Sequence, residues 1–98
     1  MKVRDPRLLA IKALISLNQI TSFRQIFEHI SKSAIADYLR TSYNRVDRIT
    51  REPETAPLHF YFKMAALLEV PERDIMALVL NDLKGKKITR KMKGKLVG

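Results

Sequence analysis

Residues 33–49, with the sequence SAIADYLRTSYNRVDRI, determine the fold expected for this chain. Ala36 is followed by Val46 ten residues later and by Ile49 thirteen residues later, and a polar Thr-Ser pair interrupts the stretch between them. This spacing is typical of a helix-turn-helix. A small residue lets the first helix pack closely on the second, while Val46 and Ile49, three residues apart, hold the second helix from beneath.

The rest of the chain predicts further helices, so we expect an all-α domain of five or six helices. Pro53 should end the helix that contains Val46, because a proline disfavours helical geometry in the residue before it. Gly85 should end the last helix. The expected helix starts are, in chain order, Asp5-Pro6, Thr21 or Ser22, Ser31 or Ser33, Ser42, Pro57 and Pro71. The residues expected to be buried together are Ala36, Leu39, Val46, Ile49, Ala65 and Leu68.

The helix expected after Pro57 is apolar on nearly every side. One stripe consists of Leu58, Tyr61, Phe62, Ala65 and Leu68, and a second of Phe60, Met64 and Leu67. A helix with two apolar faces either occupies the centre of the core or turns one face towards a partner. The sequence leaves both interpretations open.

Positive charge is concentrated at the end of the chain. The net charge is +9, and the last fifteen residues carry seven cations and no acid. We therefore divide the chain into a helical domain, residues 1–84, and a basic tail, residues 85–98, which we expect to be mobile. A cationic tail favours a polyanionic partner, most simply nucleic acid, although a solvated tail that aids solubility is the alternative.

Several functional classes have no support in the sequence. There is no cysteine, so disulfides and thiolate metal sites are excluded, and the two histidines, His29 and His59, are too few and too far apart for a metal site. No catalytic or phosphate-loop motif occurs, so we expect neither enzymatic activity nor a cofactor. No apolar stretch reaches the roughly 18 residues of a membrane span, and no secretory pattern is visible, which favours the cytoplasm.

Residues 31–79 resemble the DNA-binding domain of Cro and the phage repressors, the lambda-repressor-like XRE family. The resemblance rests on the order SxxxIAxxL, a Thr-Ser turn, RVxRI, a proline-containing loop, KMAALLEV and a final amphipathic helix. It implies a transcription regulator that binds double-stranded DNA as a homodimer, with residues about 33–51 as its helix-turn-helix. Two positions differ from the family: Arg40 stands where glycine is usual, and Lys32 where glutamine is common. An arginine there means that the turn is either strained or differently shaped.

In the second helix of the predicted helix-turn-helix, the residues opposite Val46 and Ile49 are of types that read bases and bind phosphates. Asn44 could pair with an adenine edge, and Arg48 with guanine or a phosphate. Asp47 could accept a hydrogen bond from cytosine, form an ion pair with Arg51, or orient Arg48. The full set of predicted DNA-binding residues is Lys32, Ser42, Tyr43, Asn44, Arg45, Asp47, Arg48 and Arg51.

A different class of function remains open. The domain could be a protein-interaction module, such as an antitoxin-like accessory subunit, with only non-specific affinity for nucleic acid. The three arginines of residues 43–51 favour DNA reading, because a pure interaction module has no use for them on one face.

Overall fold

The structure is a computed structural model that describes the backbone of residues 5–97 and the side chains of residues 5–84. Within this range every regular element is a helix and no strand occurs, so the all-α prediction is confirmed. Two 3₁₀ helices lie between α-helices, at Phe23–Glu28 and Pro53–Thr55. The α-helices are α1 (Pro6–Ser16), α2 (Lys32–Leu39), α3 (Tyr43–Arg51), α4 (Leu58–Leu68) and α5 (Glu72–Val97).

Serine side chains start both helices of the central motif. The hydroxyl of Ser31 accepts from the backbone N–H of Ala34 at 3.1 Å, and that of Ser42 accepts from Arg45 at 3.1 Å. Each hydroxyl satisfies an N–H that the first helical turn leaves without an intrahelical partner. Of the two serines considered for α2, Ser31 is therefore the cap.

The second predicted helix forms, but as a 3₁₀ helix. The Gln25 side chain folds back and accepts from the backbone N–H groups of Thr21 at 2.6 Å and Ser22 at 3.2 Å. Phe23 and Ile26, three residues apart, point into the core and are fully buried. A 3₁₀ helix aligns residues i and i+3 more closely than an α-helix, which suits this short segment with two inward side chains.

One continuous hydrophobic core holds these elements together. All six residues expected to share it are buried: Ala36, Leu39, Val46, Ile49, Ala65 and Leu68. Phe23 joins the first 3₁₀ helix to α4, because its ring meets that of Tyr61 edge to face with centroids 5.3 Å apart. Such a contact adds about 0.5–1.5 kcal/mol beyond the area that the rings bury.

Helix α4 contributes one face to this core and leaves the other exposed. Met64 and Leu68 are fully buried, whereas Leu58 is 58% exposed and Phe62 is 40% exposed. The buried face takes residues from both of the stripes described above. Occupation of the core therefore accounts for most of the apolar character of α4, and the exposed pair is what remains for a partner.

The predicted end of the last helix at Gly85 is wrong, because α5 continues to Val97. Glycine inside a helix costs about 1 kcal/mol relative to alanine, which neighbouring helix-forming residues can offset. A glycine ends a helix effectively when it turns left-handed, and no glycine in the described backbone has a positive φ. The division at residue 85 is thus not a helix boundary. The side chains of residues 85–98 lie outside the described part of the chain, and the mobility of the tail stays a prediction.

The turn between α2 and α3 has the left-handed shape that glycine usually provides. Arg40 has φ 57° and ψ 50°, and the N–H of Thr41 donates back to the carbonyl of Ala36 at 2.9 Å. Asn18 and Glu69 end α1 and α4 in the same conformation. Of the two possibilities left by the sequence, the turn therefore has the usual shape and carries strain.

Candidate nucleic-acid interface

Helix α3 is fixed from beneath and exposed above. Val46 is 0% and Ile49 3% exposed, and the buried Thr50 hydroxyl donates to the carbonyl of Val46 at 2.8 Å. On the opposite side Asn44 and Arg48, one turn apart, are both exposed. The helix thus presents a polar face whose orientation is determined by buried contacts on its other side.

The end of α3 is anchored by a hydrogen bond from α4. The buried hydroxyl of Tyr61 donates to the carbonyl of Pro53 at 2.6 Å, just beyond the last turn of α3. Burial raises the pKa of Tyr61, so its hydroxyl keeps its proton and remains a donor throughout the neutral range. Together with the Ser42 cap at the start, this bond holds α3 at both ends.

Most of the predicted DNA-binding residues share one exposed surface. Tyr43 is 50% exposed, and Asn44, Arg45 and Arg48 are exposed beside it. An open groove of about 440 Å³ runs along this surface. Its lining is Ser42, Asn44, Arg45, Arg48, Ile49 and Thr55. The structure therefore brings amide, hydroxyl and guanidinium groups together on the outer side of α3.

Asp47 lies at the side of this surface and binds two cations. Its carboxylate contacts the Lys32 Nζ at 2.7 Å and the Arg51 Nε at 3.2 Å. These contacts, first the hydrogen bond from Lys32, lower the pKa of Asp47. The pairing with Arg51 was one of the roles considered from sequence. The contact with Lys32 was not, because fifteen residues separate the pair and only the packing of α2 on α3 brings them together.

A second carboxylate, Glu52, was missed by the sequence reasoning. Its Oε1 lies 3.7 Å from the Arg48 Nε, and both side chains are well exposed. The spacing of four residues on a helix was the signal that could have identified this pair. Exposed pairs of this kind contribute only about 0–1 kcal/mol, so Arg48 can exchange Glu52 for another acceptor at little cost.

The described residues offer nothing for a metal or for a membrane span. No cluster of three potential metal-binding side chains occurs among them, and none of their helices is long and apolar enough to cross a bilayer.

No protein-family model, curated protein or solved structure matches the chain. The resemblance to Cro and the phage repressors therefore stays a prediction from the sequence.

Proposed function

We propose that this chain is a sequence-specific DNA-binding transcription regulator of the lambda-repressor-like kind, which places α3 in the major groove. The observation that supports this most is that Asn44 and Arg48 share an exposed face while Val46 and Ile49 bury the opposite one. The major groove admits an α-helix and presents a distinct pattern of donors and acceptors for each base pair.

The exposed side chains divide into two roles in this proposal. Asn44 can donate to and accept from an adenine edge at once, and Arg48 can donate twice to a guanine edge. Lys32, Arg45 and Arg51 hold phosphates, which fix the register of the helix without reading sequence. Asp47 then serves to orient two of these cations, since its carboxylate contacts both Lys32 and Arg51.

A homodimer completes the proposal. A single α3 reads only a few base pairs, and regulators of this class gain specificity by pairing two modules on half-sites about one helical turn, or 34 Å, apart. The cations of the tail add affinity for any DNA through its phosphates.

The protein-interaction module remains the second candidate because α4 leaves two large apolar side chains exposed. Leu58 and Phe62 lie four residues apart and therefore on the same side of the helix. In that role α3 would read no bases, and DNA would be held only by salt-sensitive, sequence-independent contacts.

Competition binding against a randomised operator pool separates the two candidates. Asn44→Ala should cost about 1–3 kcal/mol on the preferred site and relax selectivity at one base pair. Arg48→Ala should act similarly at a neighbouring pair. The matched control is Arg73→Ala, which removes an exposed arginine in the first turn of α5 that is not among the predicted DNA-binding residues.

Both α3 variants should keep the wild-type melting temperature, because the altered side chains are exposed. If the wild type and both variants bound every sequence equally while remaining folded, base reading by α3 would be refuted. The interaction module would then be the better account.

A further inference from the structure

A second and larger cleft lies apart from the groove on α3. It has a volume of about 790 Å³ and shares no lining residue with that groove. Its walls come from the first 3₁₀ helix, the start of α2, the end of α3 and the middle of α5. Small-molecule sites in proteins usually measure about 300–1,000 Å³, so this cleft has room for a metabolite.

The cleft brings together cations from three separate elements. Arg24 comes from the first 3₁₀ helix, Lys32 from α2 and Arg51 from α3. Thr21 and Ser22 also line it, but their hydroxyls already donate to Gln25 and Asp82. Guanidinium and ammonium groups hold a phosphate by charge-assisted hydrogen bonds.

One wall is fixed and carries a carboxylate. The side chain of Asp82 is 5% exposed, and it accepts from the backbone N–H of Arg24 at 3.1 Å while the Arg24 Nε lies 3.6 Å away. The Asn81 amide donates to the carbonyl of Thr21 at 2.5 Å, which joins α5 to the same segment. Asp82 disfavours a bare anion. The carboxylate already accepts from the Arg24 and Phe23 backbone and from the Ser22 side chain, and a ligand with hydroxyl or amino donors beside its phosphate suits this wall better than a bare anion.

We propose that this cleft binds a phosphorylated small molecule, a sugar phosphate or a nucleotide. Its phosphate is held by Arg24, Lys32 and Arg51, and its hydroxyl or amino groups face Asp82. The phosphate competes with Asp47 for Lys32 and Arg51, because both cations already contact that carboxylate. Since these two cations also belong to the proposed DNA surface, the ligand should weaken DNA binding; this part rests on the proposed function.

The test is an NMR titration of the ¹⁵N-labelled full chain with AMP, with adenosine as the phosphate-free control. AMP should give saturable shifts of the backbone amides at 21–24, 50–51 and 81–82, and adenosine should not. Arg24→Gln should weaken AMP binding about tenfold, the usual effect of losing one charge-assisted hydrogen bond. Arg73→Gln, which removes an exposed arginine that lines neither the cleft nor the groove on α3, should leave AMP binding unchanged.

Three results would overturn the proposal: no saturation with AMP, equal shifts along the groove of α3, or AMP binding that Arg24→Gln does not alter. A fourth arm distinguishes the source of the phosphate. If an operator duplex shifted the cleft amides and AMP did not, the cleft would be a site for the DNA backbone instead. If AMP bound the cleft but left DNA affinity unchanged, the ligand site would stand and the coupling to DNA would be refuted.

Discussion

Replacing Arg40 by glycine should stabilise this domain, although the residue lies in the middle of the proposed DNA-binding motif. Arg40 has φ 57° and ψ 50°. A side chain with a Cβ pays about 1–2 kcal/mol to adopt this left-handed conformation, whereas glycine adopts it freely. The arginine side chain is exposed, so its removal opens no cavity.

The expected gain is smaller than the strain that is relieved. Glycine loses about 0.5–1 kcal/mol more conformational free energy on folding than a residue with a Cβ. At the centres of these ranges, about 1.5 and about 0.75 kcal/mol, the difference leaves a net stabilisation of about 0.75 kcal/mol. In a domain of this size, that corresponds to a rise in melting temperature of about 3–6 °C.

Thermal melts of three variants test this reasoning. Asn18→Gly, at a helix end with φ 60°, should gain less than Arg40→Gly, because asparagine tolerates the left-handed region better than arginine does. Ala13→Gly, at an exposed position within α1, should lose about 1 kcal/mol. If Arg40→Gly lowered the melting temperature as Ala13→Gly does, the left-handed turn would not be a source of strain.

Three further outcomes follow from the contacts around α3. Tyr61→Phe should lower the free energy of unfolding by about 1–2 kcal/mol in urea titrations, because it deprives the buried Pro53 carbonyl of a hydrogen bond; an unchanged midpoint would contradict this. Asp47→Asn should raise affinity for all DNA sequences in anisotropy titrations, since Lys32 and Arg51 lose a carboxylate that competes with phosphate; equal affinity would show that neither cation reaches phosphate. The pKa of Asp47 is lowered in the folded protein, so its ionised carboxylate stabilises the fold at neutral pH. This stabilisation is lost as the pH falls through the folded-state pKa, which lies below the ordinary 3.8. The melting temperatures of the wild type and Asp47→Asn should therefore converge at that low pH.

The features predicted correctly from sequence depend on residues close together in the chain. Ser42 caps α3 by accepting from a residue three positions on, and Val46 and Ile49 share one face because of the helical period. Such patterns are visible without knowing how the elements pack. They were sufficient for the all-α class, the bounds of α3 and the exposure of Asn44 and Arg48.

The features that were missed depend on packing between distant segments. Arg24 and Asp82 meet across 58 positions, and Lys32 and Asp47 across 15, so neither pair has a local signal. The prediction that Gly85 ends the last helix was wrong for a different reason. It relied on the local rule that glycine ends helices. Whether a glycine ends a helix depends on its backbone conformation, which its identity alone does not determine.

The carboxylate of Asp47 has a consequence for how steeply DNA binding would depend on salt. In the proposed complex Lys32, Arg45 and Arg51 hold phosphates, but Asp47 returns one negative charge to this set, while Glu52 contacts the base-reading Arg48. If two phosphates rather than three are effectively neutralised, the slope of log K against log salt falls from about −2.7 to about −1.8. Asp47 thus acts as a built-in counterion. In the proposed complex Asp47 would lower the part of the affinity that comes from phosphates, which specific and non-specific DNA share, and binding would be less sensitive to salt.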